Sequence, residues 1–241
     1  MKPQAISKFQ GFPQETELFL KELGENNTKD WFNSHRAEYE KFFLTPALSF
    51  TETMGLALSK HIKGLEYKAK VDGSLFRLIR DVRFSKSKVP YKNHMGIVFW
   101  KGPYASRVQN PGFYFQLEPG TLFLAAGKWY FYDEQLHAYR SSLDSKDGKN
   151  LLKIIDKLPA THTITGEKLK KFPKGFSAEH PLGELAKHKG LYVEMKEDMG
   201  LPDIVYRAEL IDYCLAFFTP AIDFVNWLAA STEKAAALKE G

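Results

Sequence analysis

A chain of 241 residues, of which 44% are hydrophobic and 26% charged, is long enough to bury a core and too apolar for wholesale disorder. Its single cysteine, Cys214, excludes an internal disulfide and a cysteine-based zinc site, and its apolar neighbours predict a buried, unreactive thiol. The N-terminus has no apolar run typical of a secretory signal, and nowhere do enough uncharged apolar residues follow one another to span a membrane. We therefore expect a cytoplasmic protein with no membrane contact.

The positive charge of the chain is concentrated in one segment. The net charge is +5, yet between Lys68 and Arg107 ten lysines and arginines stand against two aspartates, which gives this segment +8 and leaves −3 for the rest. A local positive field favours a site for an anion over general adhesion to polyanions.

The first third of the chain has helical periodicity. Apolar residues at helical spacing after Pro13 predict a first helix that Gly24 ends. Asn27 is predicted to cap a second helix, with Asp30 completing a capping box. Pro46 ends that helix or begins a third one.

The middle third changes to the alternation of a strand. In LFRLIRDVRF, residues 75–84, apolar and charged residues alternate, although Arg80 falls on the apolar side. A turn at SKSKVPYK follows, and three further strands are predicted at HMGIVFW, GFYFQL and TLFLAAG. The last two are joined by the turn Glu118-Pro119-Gly120, and connections this short indicate antiparallel neighbours.

The last third returns to helical patterns. Four helices are predicted, at residues 134–142 after Asp133, 151–158, 202–218 and 220–238. The sequence therefore predicts an α+β fold in which a central antiparallel sheet is flanked by N-terminal and C-terminal helices. We expect one domain over residues 1–241, helical over 1–70, sheet over 74–132 and helical over 133–241.

The basic segment is the strongest candidate for a binding site. On an ideal strand Arg77, Asp81 and Arg83 share a face, so that Asp81 stays ionised and orients both guanidinium groups. Fixed guanidinium groups suit phosphate or carboxylate, the lysines of the turn add looser charge, and a tyrosine hydroxyl could hydrogen-bond or transfer a proton. The predicted ligand-binding residues are Arg77, Arg80, Asp81, Arg83, Lys86, Lys88, Tyr91 and Lys92. The alternative is a solvated face with an internal Arg–Asp network.

Several motifs together resemble a known family. These are FxGFPxETxxFLxxLxxNNxxxWFxxxRxxYE from Phe9 to Glu40, RDVRFSKSKVPYKNH, PGFYFQLEPG followed by AAGKW, and FPKGFSAEHPLGELAKHKGLY. Nearly the whole chain is similar to an uncharacterised microbial family, domain of unknown function 2461, in which an acidic residue usually stands at the position of Ser87. The resemblance implies an α+β fold and no established activity, so it supplies no catalytic residue.

Other kinds of site have little support. His180, Glu184 and His188 are spaced four residues apart, but no complete metal motif is present, and we expect an ion pair at a helix start instead of a metal. The motifs of P-loops, dinucleotide sites and hydrolase elbows are absent from the sequence, so no cofactor is predicted. Arg36 could reach the sheet and join the basic group.

Three functions remain open at the level of sequence. The preferred one is binding of a small anionic ligand, with enzymatic activity undecided because no nucleophile–base pair is visible. The second is nucleic-acid binding, with Phe84, Tyr91 or Trp100 stacking on bases. The third is a protein-interaction module, which predicts a flat apolar patch. The sequence does not indicate an oligomeric state.

Overall fold

The computed structural model describes residues 8–83, 86–197 and 199–240. Nine α-helices lie in this part of the chain: α1 Gln14–Glu25, α2 Lys29–Ser34, α3 Arg36–Glu38, α4 Thr45–Ser59, α5 Asp133–Leu143, α6 Lys146–Ile155, α7 Gly183–Ala186, α8 Leu210–Phe218 and α9 Ile222–Glu240. The strands are β1 Met95–Trp100, β2 Gly112–Glu118, β3 Thr121–Lys128, β4 Thr163–Thr165 and β5 Leu191–Glu197. A π-helical turn, Tyr39–Leu44, joins α3 to α4.

The strands form one antiparallel sheet in the order β1-β2-β3-β5-β4. The tight turn between β2 and β3 uses Gly120 with φ 73°, a left-handed conformation that glycine adopts without strain. The predicted α+β class and antiparallel sheet are confirmed, as are the three strands predicted from HMGIVFW to TLFLAAG.

The sheet has a helix-covered face and an outer face. Phe113 and Phe115 of β2 point to the helices, where Phe115 lies 4.4 Å from Phe50 of α4 and Phe113 lies 5.3 Å from Phe218 of α8 (ring centroids). Tyr114, between them, points to the outer face and is only partly buried. Because side chains alternate along a strand, this register separates a helix-packed core from a face that can carry polar residues.

Lys128, the last residue of β3, points to the helix-covered face and is fully buried. Its Nζ donates to the Val108 carbonyl at 2.8 Å and lies 5.6 Å from the centre of the Tyr132 ring. Burial lowers the pKa of this ammonium to about 7.

Two parts of the predicted layout are corrected. The sheet begins at Met95 and not at residue 74, because residues 75–83 make only isolated pairs, among them Leu75 with Ile97. The segment 133–241, predicted helical, supplies β4 and β5. Their partner β3 lies far along the chain, so no short turn marked them as strands.

Several helix starts also differ from the prediction, and the helix predicted at 151–158 is α6, which begins at Lys146 after the cap Ser145. Thr28, not Asn27, caps α2, and its Oγ1 accepts a hydrogen bond from the Trp31 amide at 3.2 Å. The helix predicted from residue 202 begins as a short 3₁₀ turn, Asp203–Tyr206, before α8. The threonine hydroxyl reaches the amide at the third helical position, which frees the asparagine side chain for another contact.

The helical stretch Leu210–Ala236 is long and apolar enough to cross a membrane by length and composition, with a mean hydropathy of 1.3. In the fold, 56% of its most apolar window is buried, and Phe218, Phe224 and Leu228 belong to the core. A core helix of a folded protein has this composition, so the stretch is weak evidence for a membrane span. Cys214 on α8 is buried, and burial raises the pKa of its thiol, as an unreactive cysteine requires.

Candidate functional site

The basic segment lies along the outer edge of β1. The Phe76 amide donates to the Gly96 carbonyl at 2.9 Å, which fixes the start of the segment on the strand. Further on, the Arg80 amide donates to the Pro90 carbonyl and the Lys92 amide to the Leu78 carbonyl, each at 2.8 Å. These bonds pair residues 78–80 with residues 90–92; we call the two described arms, residues 78–83 and 86–92, the hairpin, and these arms carry the cations.

Asn27 holds the second arm of this hairpin. Its side-chain oxygen accepts from the Tyr91 amide at 2.9 Å and its side-chain nitrogen donates to the Tyr91 carbonyl at 3.1 Å. The Tyr91 ring is 6% exposed and stacks on Phe32 with 4.5 Å between ring centroids. The predicted ligand residue Tyr91 therefore has its ring in the core, where it anchors the hairpin to α2.

Lys92 and Arg107 lie over the Phe76 ring, and Arg77 and Arg80 affect Lys92 through their charges; we call Arg77, Arg80, Lys92 and Arg107 the basic cluster. Lys92 Nζ lies 5.4 Å and Arg107 Cζ 4.5 Å from the centre of this ring. The pKa of Lys92 is lowered, first by burial and then by the positive charges of the three arginines. This effect of the three arginines on the Lys92 pKa shows that the hairpin and the β1–β2 connection bring positive charges together.

Arg107 was not predicted as a site residue. Its Nη1 donates to the Asp72 carbonyl at 2.6 Å, and its Nη2 lies 3.9 Å from the Asp72 carboxylate. Its Nε is buried and has no hydrogen-bond partner within the described residues. Burial lowers the pKa of this guanidinium; Asp72 opposes that effect and Arg77 adds to it. Arg107 therefore brings an unused, oriented donor to the basic cluster.

Asp72, the acid beside the basic cluster, is held in an unusual backbone conformation. Its φ of 58° lies in the left-handed region, which is uncommon for a residue other than glycine. Its amide donates to the Leu75 carbonyl at 2.9 Å, which closes the tight turn. Residues held in such conformations are enriched at functional sites, and here the turn brings a backbone carbonyl to Arg107.

The remaining predicted residues lie on the outer part of the hairpin. Arg83 donates to both carboxylate oxygens of Asp81, at 2.9 and 2.7 Å, and these bonds hold the pKa of Asp81 at about 2. Arg77 affects Asp81 through its charge alone, and more weakly. Asp81 thus binds Arg83 instead of bracing Arg77 and Arg83 equally.

Lys88 Nζ donates to the Val82 carbonyl at 3.0 Å, and Lys86 is exposed. Phe84 and Ser85 lie outside the described residues.

His94 follows the hairpin and was also missed as part of the site. Its pKa is lowered to about 4, first by burial and then by the charges of Lys92 and Arg80. The imidazole is therefore neutral at pH 7 and can accept a hydrogen bond from a ligand. The motif RDVRFSKSKVPYKNH ends at His94, but the burial and the neighbouring charges of this residue depend on the folded hairpin.

Two further predictions concern residues outside the basic cluster. Arg36 pairs with Glu40 at 3.2 Å, and its guanidinium lies 5.6 Å from the centre of the Tyr39 ring. Helix α7 covers only four residues, so the histidines predicted around it do not share a helical face; His180 Nδ1 accepts from the Leu182 amide. In the described part of the chain, no three His, Cys, Asp or Glu side chains come together as metal ligands.

Fold and site together define an α+β protein whose antiparallel sheet carries a cluster of cations along one edge. The sequence pattern of the conserved hypothetical proteins known as DUF2461 matches residues 15–227, and the chain belongs to this family. Comparison with curated protein sequences finds no match.

Proposed function

We propose that the protein binds a small anionic ligand, bearing phosphate or carboxylate, at the basic cluster. The observation that carries the proposal is the buried Nε of Arg107, which has no partner in the described residues although buried polar groups are usually hydrogen-bonded. An anion oxygen beside Lys92 and Arg107 would supply that partner.

The charge balance of the basic cluster supports the same proposal. Within the described residues, Asp72 is the carboxylate that forms an ion pair with the basic cluster, through Arg107. The charges of Arg77, Arg80 and Arg107 each lower the pKa of Lys92, so the cations of the basic cluster repel one another. A bound anion would offset this repulsion, and planar guanidinium groups match the oxygens of phosphate and carboxylate.

The contacts favour a small ligand over a nucleic acid. Of the aromatic residues that could stack on bases, Tyr91 and Trp100 are each 6% exposed, and Phe84 lies outside the described residues. Base stacking needs an exposed ring, so the hairpin offers phosphate contacts without a described stacking platform.

The test is calorimetric titration of the protein with inorganic phosphate, pyrophosphate and citrate. We expect Arg107→Ala to weaken binding of the best probe by roughly tenfold or more, because a charged hydrogen bond is lost. Lys60→Ala removes an exposed lysine at the end of α4 and serves as the matched control, with unchanged affinity expected.

Equal affinity of the wild type, Arg107→Ala and Lys92→Ala for every probe would refute the proposal. Titration with oligothymidylate at two salt concentrations separates the alternative. Binding of this single strand through six phosphates would weaken by roughly a few hundredfold between 50 and 200 mM salt, and by more for additional phosphates, whereas a small ligand would lose far less.

A further inference from the structure

A second candidate site lies in the groove between α6 and α9, beside the end of α5. The groove has a volume of about 500 Å³, within the range of small-molecule sites, and none of its lining residues belongs to the basic cluster. An adjoining hollow of about 340 Å³ shares Ser142, Asp147 and Lys234 with it. The two together offer space for a ligand of several functional groups.

The wall of the groove is fixed by contacts between the two helices. Lys234 Nζ lies 2.6 Å from the Asp147 carboxylate, and the Trp227 indole donates to the Asp147 carbonyl at 2.8 Å. Trp227 is 7% exposed, so its ring belongs to the core beneath the groove. These contacts hold α6 against α9 and preform the groove.

The buried hydroxyl of Ser142 is evidence that the groove binds a ligand. This residue lines both hollows and is 4% exposed, and its Oγ has no hydrogen-bond partner within the described residues. A hydroxyl can rotate to donate or accept, so a serine at this depth normally finds a backbone carbonyl or another side chain. Because Ser142 lines the groove, a ligand bound there would lie next to this hydroxyl.

Lys153 and Lys157 indicate the charge of that ligand. Lys153 is an exposed residue of α6, and Lys157, also exposed, follows two residues after the end of this helix; both line the groove. Among the described residues, neither lysine forms an ion pair within 4 Å. Like charges at this spacing repel, and a bound anionic group would relieve the repulsion.

We infer that this groove binds a small polyhydroxylated phosphate, such as a sugar phosphate. The phosphate would contact Lys153 and Lys157, and the hydroxyl groups would contact Ser142 and the carboxylate of Asp223, which also lines the groove. The inference is independent of the basic cluster, because the two sites share no residue.

The experiment is calorimetric titration of the full chain with glucose 6-phosphate, with glucose and inorganic phosphate as partial probes. Ser142→Ala and the double variant Lys153→Ala/Lys157→Ala should each weaken binding of glucose 6-phosphate by roughly tenfold or more. Lys149→Ala is the matched control, since this exposed lysine of α6 does not line the groove, and it should bind like the wild type.

Thermal unfolding supplies the second readout. Because the Ser142 hydroxyl has no partner in the described residues, Ser142→Ala should leave the Tm of the ligand-free protein unchanged or raised. A lowered Tm would show a structural role for the hydroxyl and overturn the inference, as would wild-type affinity in both groove variants or no binding of glucose 6-phosphate at millimolar concentration. Loss of binding in Arg107→Ala with full binding in the groove variants would place the ligand at the basic cluster, which refutes this site and leaves the proposed function standing.

Discussion

Asn27 shows how a single side chain can position a distant segment. Its amide group bonds both backbone groups of Tyr91, 64 residues away, as a neighbouring strand would. We expect Asn27→Ala to lower the free energy of unfolding by about 2 to 3 kcal/mol, because two partly buried hydrogen bonds are lost and Tyr91 keeps unpaired groups. Urea denaturation measures this change. Asn26→Ala, which removes only an exposed bond to the Glu22 carbonyl, should cost less than about 1 kcal/mol, and equal losses in both variants would contradict the proposed anchoring.

His94 makes the stability of the protein depend on pH in the acid range. Its folded pKa of about 4 lies below the ordinary value of 6.5, so the unfolded chain binds this proton more readily. The free energy of unfolding therefore falls as the pH is lowered from 6.5 towards 4, by roughly 2 kcal/mol between about pH 7 and pH 5 from this residue. We expect His94→Gln to remove that part of the fall in urea denaturation. If the free energy of unfolding of the wild type and of the variant changed in parallel with pH, the imidazole of His94 would not be held neutral by its burial.

At the scale of elements, Gly127 controls how closely β5 can approach β3. It has φ 138°, and a Cβ there would lie 2.5 Å from the Leu191 carbonyl oxygen. We expect Gly127→Ala to lower the free energy of unfolding by roughly 3 kcal/mol or more, because backbone strain and a backbone clash add together. Gly120→Ala, at a left-handed turn with open space around it, should cost only about 1 kcal/mol. The two variants are compared by chemical denaturation, and equal losses would argue against close β3–β5 packing.

Local patterns predicted some elements and not others. Strands β1 to β3 were predictable because alternation and the turn at Gly120 lie within one short stretch of sequence. Residues 75–83 alternate equally well, yet Arg80 on the apolar side and the loop at Pro90 leave them as an irregular arm. β5 pairs with β3 across more than sixty residues, and no local signal reports such a pairing.

The residues of the candidate site were likewise predictable only where they lie close together in sequence. Arg77, Arg80 and Lys92 were predictable because they are close in sequence. Arg107 lies in the β1–β2 connection and Asp72 lies in a turn with a left-handed backbone conformation. Only the folded chain brings these two segments together. The sequence thus indicated the charge of the site but not the buried donor on which the proposed function depends.

The buried Lys128 makes the stability of the whole molecule depend on pH in the alkaline range. Its folded pKa of about 7, against 10.5 in the ordinary case, means that the unfolded chain holds this proton more tightly. Stability should rise as the pH increases from 7 to 10.5, by roughly 2 kcal/mol between about pH 8 and pH 10 from this group. Lys128→Met should lose that rise in guanidinium denaturation, while the exposed Lys60→Met keeps it. A rise of the same size in Lys128→Met would show that the ammonium is not desolvated.

The position of β5 between β3 and β4 has a kinetic consequence. A hairpin such as β2–β3 can close within microseconds, and we expect β5 to pair with β3 later, because the chain between these two strands forms α5, α6 and α7. Closing a long loop before its contacts are made slows folding. We therefore expect the sheet to be completed late in folding, with the edge of β3 unpaired and open to other chains until β5 is in place.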